Sequence, residues 1–480
     1  MQYGYSSSEN SRNQSQFDGD DPSWAVAVKQ AVAPRAAAAA ANQTISPAED
    51  ESQAGTFFPQ EPISFDDAGL RKPQVEALAL KFLLNAGAST GREIAQQIAL
   101  PFGAIEPLLR SMKEERLIVY RSGGAFGDYC YELTSDGFER ARSHSSQSTY
   151  FGAAPVPLEQ YLASVKAQSI HHHCPRLEDI RRVFGKLVLN DDMLNRLGEA
   201  LNMGLGLFLH GEPGNGKTSI AQRVTSIFGD SIWIPRAIQA GGEIIRLYDP
   251  TKHEANPWKQ EGHGLLEERR VDRRWIRIRR PTMIVGGELQ LENLEVSSNS
   301  VTGISEAPIQ VKANGGTLVI DDLGRQSFAV DALLNRLIIP MDRRYDVLNL
   351  VSGRSFNVPF DVFLVFSTNL DPARLMDEAF LRRVPYAIHA KSPTEEEFRC
   401  LFREEANRLG LTVEDHVLEQ FLQTHYASGA LRFCHAVDLL NHVKNACEFR
   451  QLPSLVTTEA LEKAVDTCCL SLQTKPRKQE

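Results

Sequence analysis

At 480 residues, with 42% apolar and 24% charged side chains, the chain has the composition of a soluble globular protein and, at roughly 150 residues per domain, the length of about three units. A formal charge of −9, from 52 basic and 61 acidic groups, excludes a whole-surface electrostatic grip on nucleic acid and leaves room only for a local one. Seven scattered cysteines with no CxxC pair, a start with no basic-then-apolar signal, and no apolar stretch near ~18 residues predict a cytoplasmic chain with neither disulfides nor a membrane anchor.

Residues 1–65 are rich in Ser, Gln, Asn, Asp and Pro, contain the run Ala36–Ala41, and are expected to be a disordered tail, because they bury too little apolar area to offset chain entropy. The character changes over 70–145. Pro73 opens a helix that stops at Gly87, Arg92–Leu100 forms a second, and a third carries Ile105, Leu108, Leu109 and Met112 on one face. Strands Leu117–Tyr120 and Tyr129–Leu133 follow, giving the order of a winged helix-turn-helix. Its presumptive recognition helix, Gly103–Glu115, sets Arg110 and Lys113 against Glu106, Glu114 and Glu115, and the loop Gly123–Asp128 has no basic residue. That near-neutral balance favours a protein partner over duplex DNA, and both readings stay open. Residues 146–175 read as a linker. Its run His171-His172-His173-Cys174 could bind metal, but adjacent positions fix no geometry, and no site is assigned there.

From 176 to 390, buried apolar runs alternate with helical stretches, the pattern of a parallel sheet covered on both faces. The runs are Leu205–His210, Ser231–Pro235, Leu318–Ile320, Phe363–Phe366 and Val384–Ile388. After Lys391, amphipathic helices continue to 472 as an all-helical lid.

Between the first run and the next helix stands Gly211-Glu212-Pro213-Gly214-Asn215-Gly216-Lys217-Thr218, followed by Ser219. It fills GxxxxGK[ST], in which curled backbone and a helix N-terminus present N–H groups to phosphates. Lys217 adds a positive charge and the Thr218 hydroxyl a Mg²⁺ ligand. Residues 269–280 hold seven arginines around Trp275, with Ile276 and Ile278 alternating against Arg277 and Arg279. This strand could grip phosphates, with Trp275 for stacking, or be a solvated or subunit-contacting arginine face. The strand Leu318–Ile320 ends in Asp321-Asp322, where Asp321 is placed for Mg²⁺ and Asp322 for polarising the attacking water.

The remaining motifs give this part of the chain a resemblance to the AAA+ ATPases, over about residues 176–472. Asn369, ending Val365-Phe366-Ser367-Thr368-Asn369, resembles the first sensor. Arg382 and Arg383, in Asp377–Val384, resemble the arginine-finger region. Arg432, in Gly429-Ala430-Leu431-Arg432, is similar to the second sensor. Tyr345–Pro359 resembles the hairpin ahead of the first sensor in the superclade of MoxR-like ATPases and bacterial enhancer-binding proteins, and the phrase Ala313-Asn314-Gly315-Gly316-Thr317-Leu318 is similar to one in those activators. The polymerase-contacting Gly-Ala-Phe-Thr-Gly-Ala loop of those activators is absent, which disfavours that activity. Two further departures are Asp-Asp where the family has Asp-Glu, and the length between Ile234 and Leu318, part of which must be insertion.

The expected fold is therefore α/β: an AAA+ P-loop parallel sheet with a C-terminal helical lid, preceded by a small α+β winged-helix domain. The resemblance implies ATP and Mg²⁺ as cofactors, hydrolysis coupled to remodelling of an unidentified protein partner, and a homo-oligomer, a hexamer by analogy. The alternative is an ATP-controlled DNA-binding transcriptional regulator.

Overall fold

A computed structural model describes residues 57–123, 128–185, 187–258, 270–375, 382–425 and 431–468. Most of the expected tail, the hairpin tip at 124–127, Arg269, Asp377–Leu381, Gly429-Ala430 and the lid beyond 468 lie outside these residues.

Five strands build the central sheet: β1 (Leu207–His210), β2 (Thr282–Val285), β3 (Gly316–Ile320), β4 (Val362–Thr368) and β5 (Tyr386–His389). All pair in parallel, in the order β2-β3-β4-β1-β5. Their runs are apolar on both faces because both are covered. Phe208, Leu318, Ile320, Leu364 and Phe366 enter one core, and Leu207, Leu209, Val319, Phe363 and Val365 the other. Burying each contributes roughly 1.5–3 kcal/mol. The expected α/β class is that of the structure: a parallel sheet followed by a helical unit, in which Glu395–Leu409, Asp415–His425, Phe433–Arg450 and Thr458–Cys468 pack around Phe398, Phe402, Leu439 and Leu440. Strands do not stop entirely after Lys391, since Thr412–Val413 pairs with Leu455–Val456.

The run Ser231–Pro235 is not a central strand. It pairs antiparallel with Trp275–Arg279 as a separate two-stranded sheet, and the sheet edge beside β3 is taken by β2. Thus the insertion lies between the helix after β1 and β2.

Over 57–147 the helices Lys72–Ala86, Gly91–Ile98 and Phe102–Glu114 precede the antiparallel strands Ile118–Gly123 and Tyr129–Leu133, and a further helix, Ser135–Gln147, follows. Thr90 and Glu93 cap the second helix reciprocally, and buried Asp128 accepts hydrogen bonds from the amides of Gly91 and Arg92, each at 3.0 Å. The segment 146–175, read as a linker, is folded instead. Val156–Pro157 is the edge strand beside Ala237–Ala240, and the helix Leu158–Ala167 buries Tyr161, whose hydroxyl oxygen accepts from Asn314 at 2.9 Å. Leu158, Tyr161, Leu162 and Val165 are spaced as one helical face, a periodicity that the flanking prolines obscured.

The arginine-rich stretch is divided: Arg270, Arg273 and Arg279 are exposed, while Arg274 and Trp275 face inward. Arg274 is 2% exposed, forked onto Asp272, and donates to Ala68 O at 2.8 Å. Trp275 is 5% exposed and packs 5.1 Å from Phe57, so it offers no stacking face to nucleic acid. Arg280 donates to Gly315 O at 2.6 Å and to Gln168 O at 3.1 Å. The hairpin Tyr345–Asn349/Ser355–Pro359 meets the insertion at its tip, where Arg354 donates to Gly241 O and Ser352 N to Glu243. Among the described residues no helix is long and apolar enough to cross a membrane, and no three or more His, Cys, Asp or Glu side chains, those of the 171–174 run included, come together as a metal-binding group.

Candidate nucleotide site

Gly211–Gly216 connects β1 to the helix Lys217–Val224. Gly211 sits at φ +142 with Ala390 O 2.5 Å from where a Cβ would lie, and Gly214, at φ +86, would collide with Cys434 Sγ at 2.4 Å. Only glycine allows this loop to curl against the start of the lid. The lid is tied to it twice, by Cys434 N donating to Gly214 O at 2.9 Å and by Arg432 donating to Glu212 at 3.0 Å. Asn215, buried, donates to Ala390 O and Ser392 Oγ, fastening the loop to the chain beyond β5.

Lys217 is 7% exposed. Its ammonium donates to Gly211 O (2.9 Å), Glu212 O (3.0 Å) and Asn369 Oδ1 (2.7 Å). Burial pushes its pKa below the usual lysine value, opposed by the nearby carboxylates of Asp321 and Asp322. Thr218 Oγ1 donates to Asp321 Oδ2 at 2.8 Å across from β1 to the end of β3. Asn369, just past β4, completes the row, its Nδ2 donating to Asp322 Oδ1 at 3.0 Å. Asp322 itself has φ +49, a left-handed conformation unusual for a residue with a Cβ. The loop is held by Leu323 N donating to Ser367 O at 2.8 Å and by Gln326, which donates to the carbonyls of Gly286 and Asp321.

These groups line one cleft of about 580 Å³. One wall is polar, from Pro213 to Ser219 with Asp321, Asp322 and Asn369. The other is apolar, from Leu187, Val188 and Leu189 on one side and Leu401, Phe433 and Val437 on the other. This apolar wall, and Arg325 and Cys434 at the rim, were not found from sequence. No spacing rule ties Leu187 to Phe433, and only the lid's closure onto the loop brings them together.

Arg432 meets the loop at the Glu212 side-chain carboxylate and does not line the cleft itself. Arg383 forks onto Asp342 at 2.8 and 3.0 Å, and Arg382 lies exposed in the turn ahead of β5; neither lines the cleft of its own chain. His210 and His389, partners in register on β1 and β5, stack at 4.9 Å beneath the loop.

Residues 394–467 match a family described as "Domain of unknown function (DUF8689)". No curated protein matches the sequence. Solved structures that match the chain include NtrX from Brucella abortus, at 13% identity, covering 57% of this chain and 54% of that one with a TM-score of 0.37. They also include the RuvB Holliday junction branch migration motor from Thermotoga maritima, at 13% identity, 59% and 70% coverage and a TM-score of 0.34. The chain thus spans about half the length of NtrX.

Proposed function

We propose that the chain is an AAA+ ATPase that binds and hydrolyses ATP and uses the cycle to remodel a protein partner. The observation that carries this reading is the convergence, at the ends of three adjacent strands, of Lys217 and Thr218 after β1, Asp321 and Asp322 after β3, and Asn369 after β4. The curled loop and helix N-terminus offer N–H groups to the β- and γ-phosphates, and Lys217 exchanges its carbonyl partners for phosphate oxygens. The apolar wall is suited to a planar base.

A hydroxyl and a carboxylate oxygen 2.8 Å apart form an oxygen donor set that fits Mg²⁺, so Thr218 and Asp321 would hold it. When bound, it neutralises charge on the β- and γ-phosphate oxygens. Asp322, steadied by Asn369, orients water. The water oxygen bonds to the γ-phosphorus as the bond to the bridging oxygen breaks, ADP leaves with that electron pair, and the water's proton passes to Asp322 before release. The shorter Asp side chain, in place of the family's Glu, is consistent with slow turnover or a bridging water.

Arg382 is assigned to a neighbouring subunit's γ-phosphate, which makes hydrolysis a property of a homo-oligomer, six-membered by analogy. A protein partner for the N-terminal helices is supported by Arg110, whose charge is matched by Glu106 at 2.6 Å, and by Lys113, whose ammonium lies 4.1 Å from the Tyr120 ring. ATP turnover by the full chain with Mg²⁺, in the presence and absence of duplex DNA, tests the reading. Turnover lost in Lys217→Ala supports it. Turnover that depends on DNA would favour the DNA-binding regulator, and none under any condition would refute hydrolysis.

A further inference from the structure

The loop after β3 carries a cation for which the proposed chemistry has no role. Arg325 is 69% exposed at its side chain and lines the same cleft as Lys217, Thr218 and Asn369, with Nη1 3.5 Å from Asp322 Oδ2. The backbone aims it there. Asp322 at φ +49 and Gly324 at φ +101 reverse the chain, and Arg325 N donates to Asp322 O at 3.0 Å, so side chains 322 and 325 emerge on one side. Gln326 locks the reversal by accepting from Gly324 N at 2.9 Å while donating to the carbonyls of Asp321 and Gly286.

As a result both oxygens of Asp322 are engaged, Oδ1 by Asn369 and Oδ2 by Arg325. A carboxylate so occupied is a poor acceptor for a water proton. The guanidinium sits on a long side chain with most of its surface in solvent, and the pair at 3.5 Å is a weak, exposed one that a phosphate can outcompete.

We propose that Arg325 reads the terminal phosphate in its own subunit. Without a γ-phosphate the guanidinium rests on Asp322. With one, it transfers to the phosphate oxygens and frees Oδ2 to orient water. Arg325 thereby couples recognition of ATP over ADP to release of the hydrolytic carboxylate. This rests on the nucleotide site proposed above and adds a residue that neither the motif spacing nor the comparisons assign.

Affinities of the full-length protein for Mg²⁺-ADP and for a Mg²⁺-bound non-hydrolysable ATP analogue test it. In Arg325→Ala, the analogue is expected to bind about tenfold more weakly while ADP is unchanged, because one charge-assisted contact to the γ-phosphate is lost. Arg325→Lys should recover part of the difference. In Asp322→Asn the resting partner is neutralised, and affinity for the analogue should rise by up to about fivefold with ADP unchanged. An unaltered analogue-to-ADP ratio in Arg325→Ala overturns the proposal. Should that variant lose both nucleotides through misfolding, Arg325→Gln, which keeps a polar but shorter side chain without the charge, decides by the same ratio. Wild-type protein that binds neither nucleotide refutes the site itself, an outcome distinct from an unchanged ratio.

Discussion

Lys217 donates to Asn369 Oδ1 at 2.7 Å, a contact between residues 152 positions apart that exists because β1 and β4 are neighbours in the sheet. With its oxygen taken by an ammonium, the Asn369 amide has its NH₂ turned to Asp322. Asn369→Ala is expected to reduce turnover by ~10²-fold, the size typical of losing one preorganised polar group at a reacting centre, while nucleotide affinity changes little. Steady-state turnover beside a binding titration checks this, and a variant as fast as the parent would remove Asn369 from the mechanism.

Lys217→Ala is expected to weaken ATP binding by at least about a hundredfold. The lysine is buried rather than exposed, so its loss also strips the carbonyls of Gly211 and Glu212 of their donor. A small fall in the nucleotide-free unfolding midpoint is expected, under about 2–4 °C per kcal/mol, the shift for 150–250 residues, because this body is larger. An unchanged ATP affinity would end the case for the site.

Asp321 and Asp322 are adjacent in sequence but separate in role. Asp321→Ala should lose the Mg²⁺ dependence of nucleotide affinity, because it removes the carboxylate facing Thr218. Asp322→Asn should keep binding and stop turnover. Asp322→Glu restores the longer side chain of the resembled family and is expected to hydrolyse at least as fast as the parent. Full turnover in Asp322→Asn would assign the base elsewhere.

Arg382 and Arg383 are predicted to part company. Arg383, forked onto Asp342, contributes within its own chain, so Arg383→Ala should chiefly lower stability, by under ~1 kcal/mol. Arg382→Ala should lower turnover by ~10³-fold or more with ATP binding retained. A mixture of Arg382→Ala and Lys217→Ala proteins is expected to regain turnover absent from either alone. Mixed oligomers, verified by size, that stay inactive at every ratio would contradict action between subunits.

Lys81 is buried against Ser148 O with no carboxylate partner among the described residues, and burial pushes its pKa down to about 8. Unfolded, the same lysine titrates near its ordinary value, so between about pH 8 and 10 the unfolded chain holds more protons than the folded one and stability rises with pH. Lys81→Met should abolish this rise. Unfolding midpoints at pH 7, 8, 9 and 10 for both proteins measure it.

The candidate site was legible in the sequence because its parts are contiguous: a loop's glycines, its lysine and hydroxyl are set by local backbone geometry, and two aspartates after an apolar run declare a buried strand's end. Contacts set by packing were less visible. Ser231–Pro235 has the apolar look of a central strand, and only its antiparallel partner Trp275–Arg279 shows that its burial comes from a second sheet. In 269–280 the density of arginine masked the burial of Arg274 and Trp275. Arg325 carries no signature at all, because the reversed backbone at Asp322 that aims it is a tertiary choice held by Ser367 and Gln326.

The edge strand Val156–Pro157 has a consequence for how the chain can be taken apart. It covers the outer edge of Ala237–Ala240, which belongs to the insertion, while Arg274 of that insertion holds the carbonyl of Ala68. The N-terminal helices are therefore not a detachable cassette. Truncation after 157 would bare a sheet edge able to recruit strands from other copies, and would strand a guanidinium and carboxylate in a half-emptied core. Any shortened version meant to isolate the central sheet and its helical unit must also remove or redesign the insertion, because the strand Val156–Pro157 and the Arg274 guanidinium join the N-terminal helices to it.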